Sequence, residues 1–306
     1  MKKLDNIFFY VLIVIFTSIA TFFALDSVSA HPIWLDIFQK PLTKSGAVLD
    51  IVIDPSLEDF IQNIDTHSAA IDYSYELDEF CKSDYDICSI VNIIDSSNQL
   101  APKNIYYYHL LIGYVIKKIW SYGYKDILDH LYSVNVNNKV HKTRWYASAH
   151  SVNLNIWLML SYAEFFKVFT HEFWHTFDLW YIVGDNKSLD PNYTEFGRKK
   201  FPINDPSILF YSISRDDEYT LSSDSSYKDF VSWYGMSDVF EDFAETYNFY
   251  LNYHDIFVSM ADQNPKLKSK YLYMKNLFEW NYFKSGKDRL KTFEDSNYRP
   301  YDTTRF

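Results

Sequence analysis

The stretch that most constrains this chain is His171-Glu172-Phe173-Trp174-His175, set inside a long run of mostly apolar residues. From Ala163 to Ile182 the run carries Phe165, Phe166, Val168, Phe169, Phe173, Trp174, Phe177, Leu179, Trp180 and Tyr181. A segment apolar around most of its circumference predicts a buried helix. Its polar residues, Glu164, Lys167, His171, His175 and Asp178, recur at steps of three or four and so form one stripe. Polar groups on a buried helix are costly unless paired or ligating, and the alignment suggests a shared site. His171 and His175 are slightly more than one turn apart, so both imidazoles project from one face, close enough to bind one metal ion. Glu172 is placed to act on a water at that ion. The competing reading is a pair of satisfied core histidines with Glu172 at the surface, which leaves the stripe unexplained.

Two histidines leave a zinc ion short of ligands, because a catalytic site takes a third protein ligand plus water. Residues 234–247 read YGMSDVFEDFAETY. Asp238 followed three residues later by Glu241 resembles a capping box and predicts that a helix begins there. On it Glu241, Glu245, Asn248 and Asn252 form one polar line beside Phe240, Phe243, Ala244, Tyr247 and Leu251. Two glutamates one turn apart repel unless a cation or donor lies between them. Spacing alone allows either glutamate as the ligand. His141, His150 and His254 are further candidate ligands or substrate contacts, or ordinary surface and packed residues.

HEFWHTFD, then Tyr234-Gly235, then Glu241-x-x-x-Glu245 within EDFAETY, resemble the catalytic domain of anthrax lethal factor. They are also similar to the related secreted Pro-Pro endopeptidases, which are gluzincin metallopeptidases. The resemblance implies zinc held by His171, His175 and Glu241, with Glu172 as general base. It implies that Tyr234, seven residues before the ligand glutamate, stabilises the transition state. Glu245 would orient a ligand histidine from behind, and Asp178, which matches an aspartate following the family pentad, would support it there. The fold expected is α+β and zincin-like: a small mixed sheet packed on the HExxH helix, with a mainly helical C-terminal part. The resemblance spans roughly residues 143–255 and is specific only around 171–178 and 234–247. The chain departs from it in the longer separation between His175 and Glu241 and in the bulk of Trp174. The function expected is a zinc-dependent endopeptidase acting on a protein or peptide. The alternatives are a non-catalytic zinc-scaffold binding protein and an amide hydrolase acting on cell-wall peptides.

Elsewhere, 48% hydrophobic and 20% aromatic residues can sustain a packed core, and a net charge of -11 disfavours nucleic acid or anionic lipid as main partner. Lys2 and Lys3, an apolar stretch over 6–25 and the ending Val28-Ser29-Ala30 read as a signal peptide over 1–30. A retained membrane anchor over 6–25 is the alternative; either way residues 31–306 are expected to be exported as one domain. Cleavage exposes His31, a copper chelator in principle with no other support. Cys81 and Cys88 suggest a disulfide closing a small loop, and the lack of a nearby histidine in the sequence argues against a metal there. A strand is expected at 47–53, a helix start at Ser56, acidic loops over about 70–104, and a buried helix over 105–121 interrupted by Gly113. A short helix at 125–132 and strands within 143–159 should follow. Residues 183–229 read as a polar surface excursion with short structured pieces around 207–213, either part of a substrate cleft or a passive insertion. Helices should run from Asp238 to about Lys284, broken at Pro265, before an irregular tail.

Overall fold

A computed structural model describes residues 72–95, 100–121, 123–124, 126–139, 145–148, 150–278 and 299–305. The leader, His31, the strand expected at 47–53, the helix start at Ser56 and His141 lie outside these residues. The acidic loops expected around the cysteines are instead helical: α1 (Tyr73–Ser83), α2 (Tyr85–Ile90), then strand β1 (Val91–Ile94). The Asp72 carboxylate caps α1 by accepting from the Ser74 and Tyr75 amides, and a Cys81–Cys88 disulfide joins the two helices. Helix α3 (Pro102–Ser121) runs unbroken through Gly113. A Cβ there would stand 2.8 Å from the Phe80 ring, so the glycine serves close packing of α1 on α3 rather than a break. This packing also brings His109 beside the two sulfurs, correcting the expectation that no histidine lies near them.

The four-stranded sheet has the order β1-β2-β4-β3, with β2 (Ser133–Asn137), β3 (Trp145–Ser148) and β4 (Ser151–Asn155). β1, β2 and β4 are parallel, and β3 pairs antiparallel with β4 at the edge. Alternation sets Val134, Val136, Val152 and Leu154 into the core. On the other face an asparagine ladder, Asn92 to Asn135 to Asn153, links three strands through side-chain amides. The short helix expected at 125–132 shrinks to a 3-10 turn, Ile127–Asp129.

Helix α4 (Tyr162–Thr176) begins at Ser161, whose hydroxyl accepts from the Glu164 amide, and continues over Phe177–Tyr181 as a π-helical turn. It packs on β3 and β4 and on α6 (Val239–Asn252), which Asp238 caps through the Phe240 and Glu241 amides. Trp174 is core here, stacked 3.6 Å from Tyr247 and 4.2 Å from Phe177. The excursion is more ordered than its composition suggests. It holds a hairpin of β5 (Leu189–Glu195) and β6 (Lys199–Pro202), turned at Phe196 and Gly197 with φ of 51° and 74°. Helix α5 (Pro206–Tyr211) then falls where a structured piece was expected, and buried Tyr193, Phe201, Phe210 and Tyr211 anchor the whole segment. Helices α7 (His254–Ala261) and α8 (Pro265–Phe278) follow α6. Residues 299–305, expected to be irregular, form a short turn at Thr303–Arg305 packed on α4 and α6. The architecture is thus α+β, with small sheets and a helical C-terminal part.

Candidate metal centre

His171 and His175 project from α4 toward Glu241 on the first turn of α6. His171 Nε2 lies 3.1 Å from Glu241 Oε2, and His175 Nε2 lies 3.6 Å from the same oxygen. Ligand atoms about 2.0–2.2 Å from a tetrahedral zinc ion stand roughly 3.3–3.6 Å apart. The two separations to the shared oxygen lie close to that span, and all three donor atoms are within 4.8 Å of one another, so the set can hold one such ion. Glu172 is buried, with one oxygen 3.9 Å from His171 Nε2. It does not face solvent. Its carboxylate accepts from the backbone of Ala147 on edge strand β3.

The electrostatics favour a cation at this point. Burial works against charge on His171, but Glu241 and Glu245 outweigh it and hold the pKa well above the ordinary histidine value. Burial and Glu241 compete in the same way at His175, with a net upward shift. On Glu241 the burial effect is overcome by His175 and His171, and its pKa falls far below the ordinary carboxylate range. Glu172 behaves differently: burial pushes it up to about 7, moderated by His175 and His171. One carboxylate stays charged and the other is poised to exchange a proton near neutrality.

The remaining polar groups sort by what they touch. Glu245 is fully buried with Oε1 2.9 Å from His171 Nδ1, so a glutamate stands behind the imidazole while Nε2 faces the candidate ion. The Tyr234 hydroxyl donates to Glu241 Oε1 at 2.9 Å. Burial and the neighbouring Glu241 raise its pKa, which keeps the phenol protonated. Asp178 lies near enough to His175 for the two to interact electrostatically. It accepts from the Ser207 and Tyr211 hydroxyls, the latter at 2.5 Å, and so anchors α5 of the excursion. The polar stripe on α4 is therefore not one site. Glu164 accepts from the Leu160 amide at the helix start, Lys167 lies over the Tyr253 ring, and only the two histidines meet Glu241. His150 stacks on Tyr132 and bonds to the His130 carbonyl, and His254 packs against Tyr250 and Tyr271. Neither joins the cluster.

Three supports have no counterpart in the sequence pattern. Arg215, from the excursion, donates to the Tyr219 and Gly235 carbonyls and holds the turn that carries Tyr234. Lys270 of α8 is buried against Asp242, next to Glu241, at 2.6 Å and also donates to the Asp229 carbonyl. Residues 300 and 301 accept from the Trp233 and Tyr234 amides, and Thr303 donates twice to Glu245. An isolated Arg, Lys or Thr in polar surroundings gives no periodic signal, and only the fold reveals them.

No protein-family model matches the chain, and among curated proteins none matches it in sequence. Among solved structures, the chain is similar to a Bacteroides caccae protein provisionally described as a zinc-binding metallo-peptidase. The identity is 15% and the TM-score 0.37, over 70% of this chain and 90% of that one. A likeness this distant carries no weight beside the side-chain geometry.

Proposed function

We propose that the protein is a zinc-dependent endopeptidase of the type suggested by the lethal factor resemblance, exported by its N-terminal leader. The observation that carries this reading is the convergence of His171, His175 and Glu241 on one point, with Glu172 alongside. The three ligands would hold zinc, which when bound supplies water activation and polarisation of the scissile carbonyl. Glu172, with its pKa near neutrality, accepts a proton from the attacking water at its carboxylate and passes it to the leaving amine. Tyr234 keeps its proton and acts as a neutral donor to the carbonyl oxygen once its hydroxyl turns from Glu241. Glu245, with Oε1 2.9 Å from His171 Nδ1, would hold the proton on that nitrogen once the ring turns into line with it, which leaves Nε2 free to ligate. The edge strand β3 borders Glu172, and a peptide laid along it would bring a carbonyl within reach.

The test is incubation of the full chain with a diverse peptide library, with and without a chelator, read by mass spectrometry. Chelator-sensitive cleavage at internal bonds is expected. An unchanged library, from protein shown to hold zinc, would favour a non-catalytic zinc scaffold. Cleavage confined to cell-wall peptides would make it an amide hydrolase.

A further inference from the structure

The polar line of α6 continues past the two glutamates, and the candidate centre alone does not account for Asn248 and Asn252. Both are buried, and in the structure they lead to residue 303. Asn252 Nδ2 donates to Asn248 Oδ1 at 2.7 Å, and Asn248 Nδ2 donates to Thr303 Oγ1 at 2.7 Å. Thr303 Oγ1 donates to Glu245 Oε1 at 3.1 Å, and the Thr303 amide donates to Glu245 Oε2 at 2.8 Å. Glu245 Oε1 faces His171 Nδ1. The chain of donors runs in one direction, from Asn252 to the imidazole's partner.

The direction follows from what each group can do. Buried carboxylate oxygens need donors, and the protein supplies one to each oxygen of Glu245. A threonine hydroxyl has one hydrogen. With its oxygen accepting from the Asn248 amide, that hydrogen is left for Glu245. The local turn makes the second bond available: Asp302 Oδ1 accepts from the Thr304 amide and hydroxyl, and the Thr303 amide is thereby turned toward α6. Both Glu245 oxygens are then fixed, and with them the plane of the carboxylate.

We propose that Thr303 is a positioning residue for the metal centre, acting through Glu245 to lock the tautomer and orientation of His171. This rests on the reading that His171, His175 and Glu241 hold zinc. Groups behind a ligand histidine are worth about 10–100-fold in metal affinity. Thr303 stands one bond further out, and a loss of about tenfold is expected when its hydroxyl is removed.

The experiment measures zinc affinity by chelator competition on the full chain for wild type, Thr303→Val and Thr303→Ser, with Co(II) absorption as a probe of ligand geometry. Thr303→Val keeps the shape and the backbone donor but loses the hydroxyl. It should bind zinc about tenfold more weakly and alter the Co(II) spectrum, at a metal-free melting temperature close to that of Thr303→Ser. Thr303→Ser should restore both readouts. Equal affinity and an unchanged spectrum for Thr303→Val would overturn the proposal. If Thr303→Val does not fold, Asn248→Ala breaks the same chain one bond earlier, and wild-type affinity there would overturn it equally. A wild-type chain that binds no zinc refutes the metal reading itself, a result distinct from loss of the Thr303 effect.

Discussion

On α4 and α6 the site residues are set by helical periodicity; across 183–229 and 299–305 they are set by contacts that no local pattern announces. His171 and His175 share a face because they are four apart, and Glu241 follows its Asp238 cap at a fixed offset. Asp178 meets Ser207 and Tyr211, Arg215 meets Gly235, and Glu245 meets Thr303 across 58 residues of sequence. The helices carry the candidate ligands and the candidate base, and the intervening segments fix where they point. A polar excursion of this kind is scaffold as well as surface.

Perturbing the tethers should cost stability first, and perturbing the helices should cost chemistry. The largest stability effect is expected at Lys270→Met, which takes the paired ammonium from the buried Asp242 carboxylate and leaves it only weaker donors such as the Ser214 and Thr246 hydroxyls. Breaking a buried pair from one side costs about 3–5 kcal/mol, so denaturant unfolding should show a loss of that size. A loss below about 1 kcal/mol would mean that the tether does not hold α8 to α6. Next comes Tyr234→Phe, which removes a donor but touches no tether. It should lower kcat at saturating zinc by roughly 10²–10³-fold, with melting temperature unchanged and zinc affinity reduced by at most about tenfold through the lost bond to Glu241. A larger fall in zinc affinity instead would assign Tyr234 to holding Glu241.

Asp178→Asn separates anchor from chemistry through pH. Burial pushes the Asp178 carboxyl up to about 7, against the Ser207 and Tyr211 hydroxyls, from an ordinary value near 3.8. A raised folded pKa contributes stability that is complete below about pH 4 and is lost as pH rises through about 7. The wild-type melting temperature should therefore carry a declining component across that window, and Asp178→Asn should remove it. An unchanged pH profile would show that Asp178 is not the titrating anchor of α5. The smallest effect on the site is expected from Cys81→Ser with Cys88→Ser. Opening so short a loop costs about 2 kcal/mol of stability and should leave zinc affinity untouched.

What was legible in the sequence follows the same division. The buried helix, the capped start of α6, α5 and the strands before the pentad all rest on patterns a few residues long. Acidic composition around the cysteines hid α1 and α2, because Asp72 and the packing of Phe80 on Gly113 outweigh it. The stripe on α4 implied one site because periodicity reports which residues share a face, not what each one meets. The anchoring of the hairpin through Phe196 on Phe240 and the docking of residues 299–305 depend on partners dozens of residues away. Neither leaves a local trace.

In the proposed reaction a His-His-Glu centre holds zinc while Glu172 carries the proton in peptide cleavage. This division of roles is tested most directly by Glu172→Gln, measured for bound zinc and peptide cleavage in the same preparation. One zinc per chain is expected in both wild type and variant, with cleavage reduced about 10²–10⁴-fold in the variant alone. A zinc-loaded variant that cleaves at the wild-type rate would contradict it.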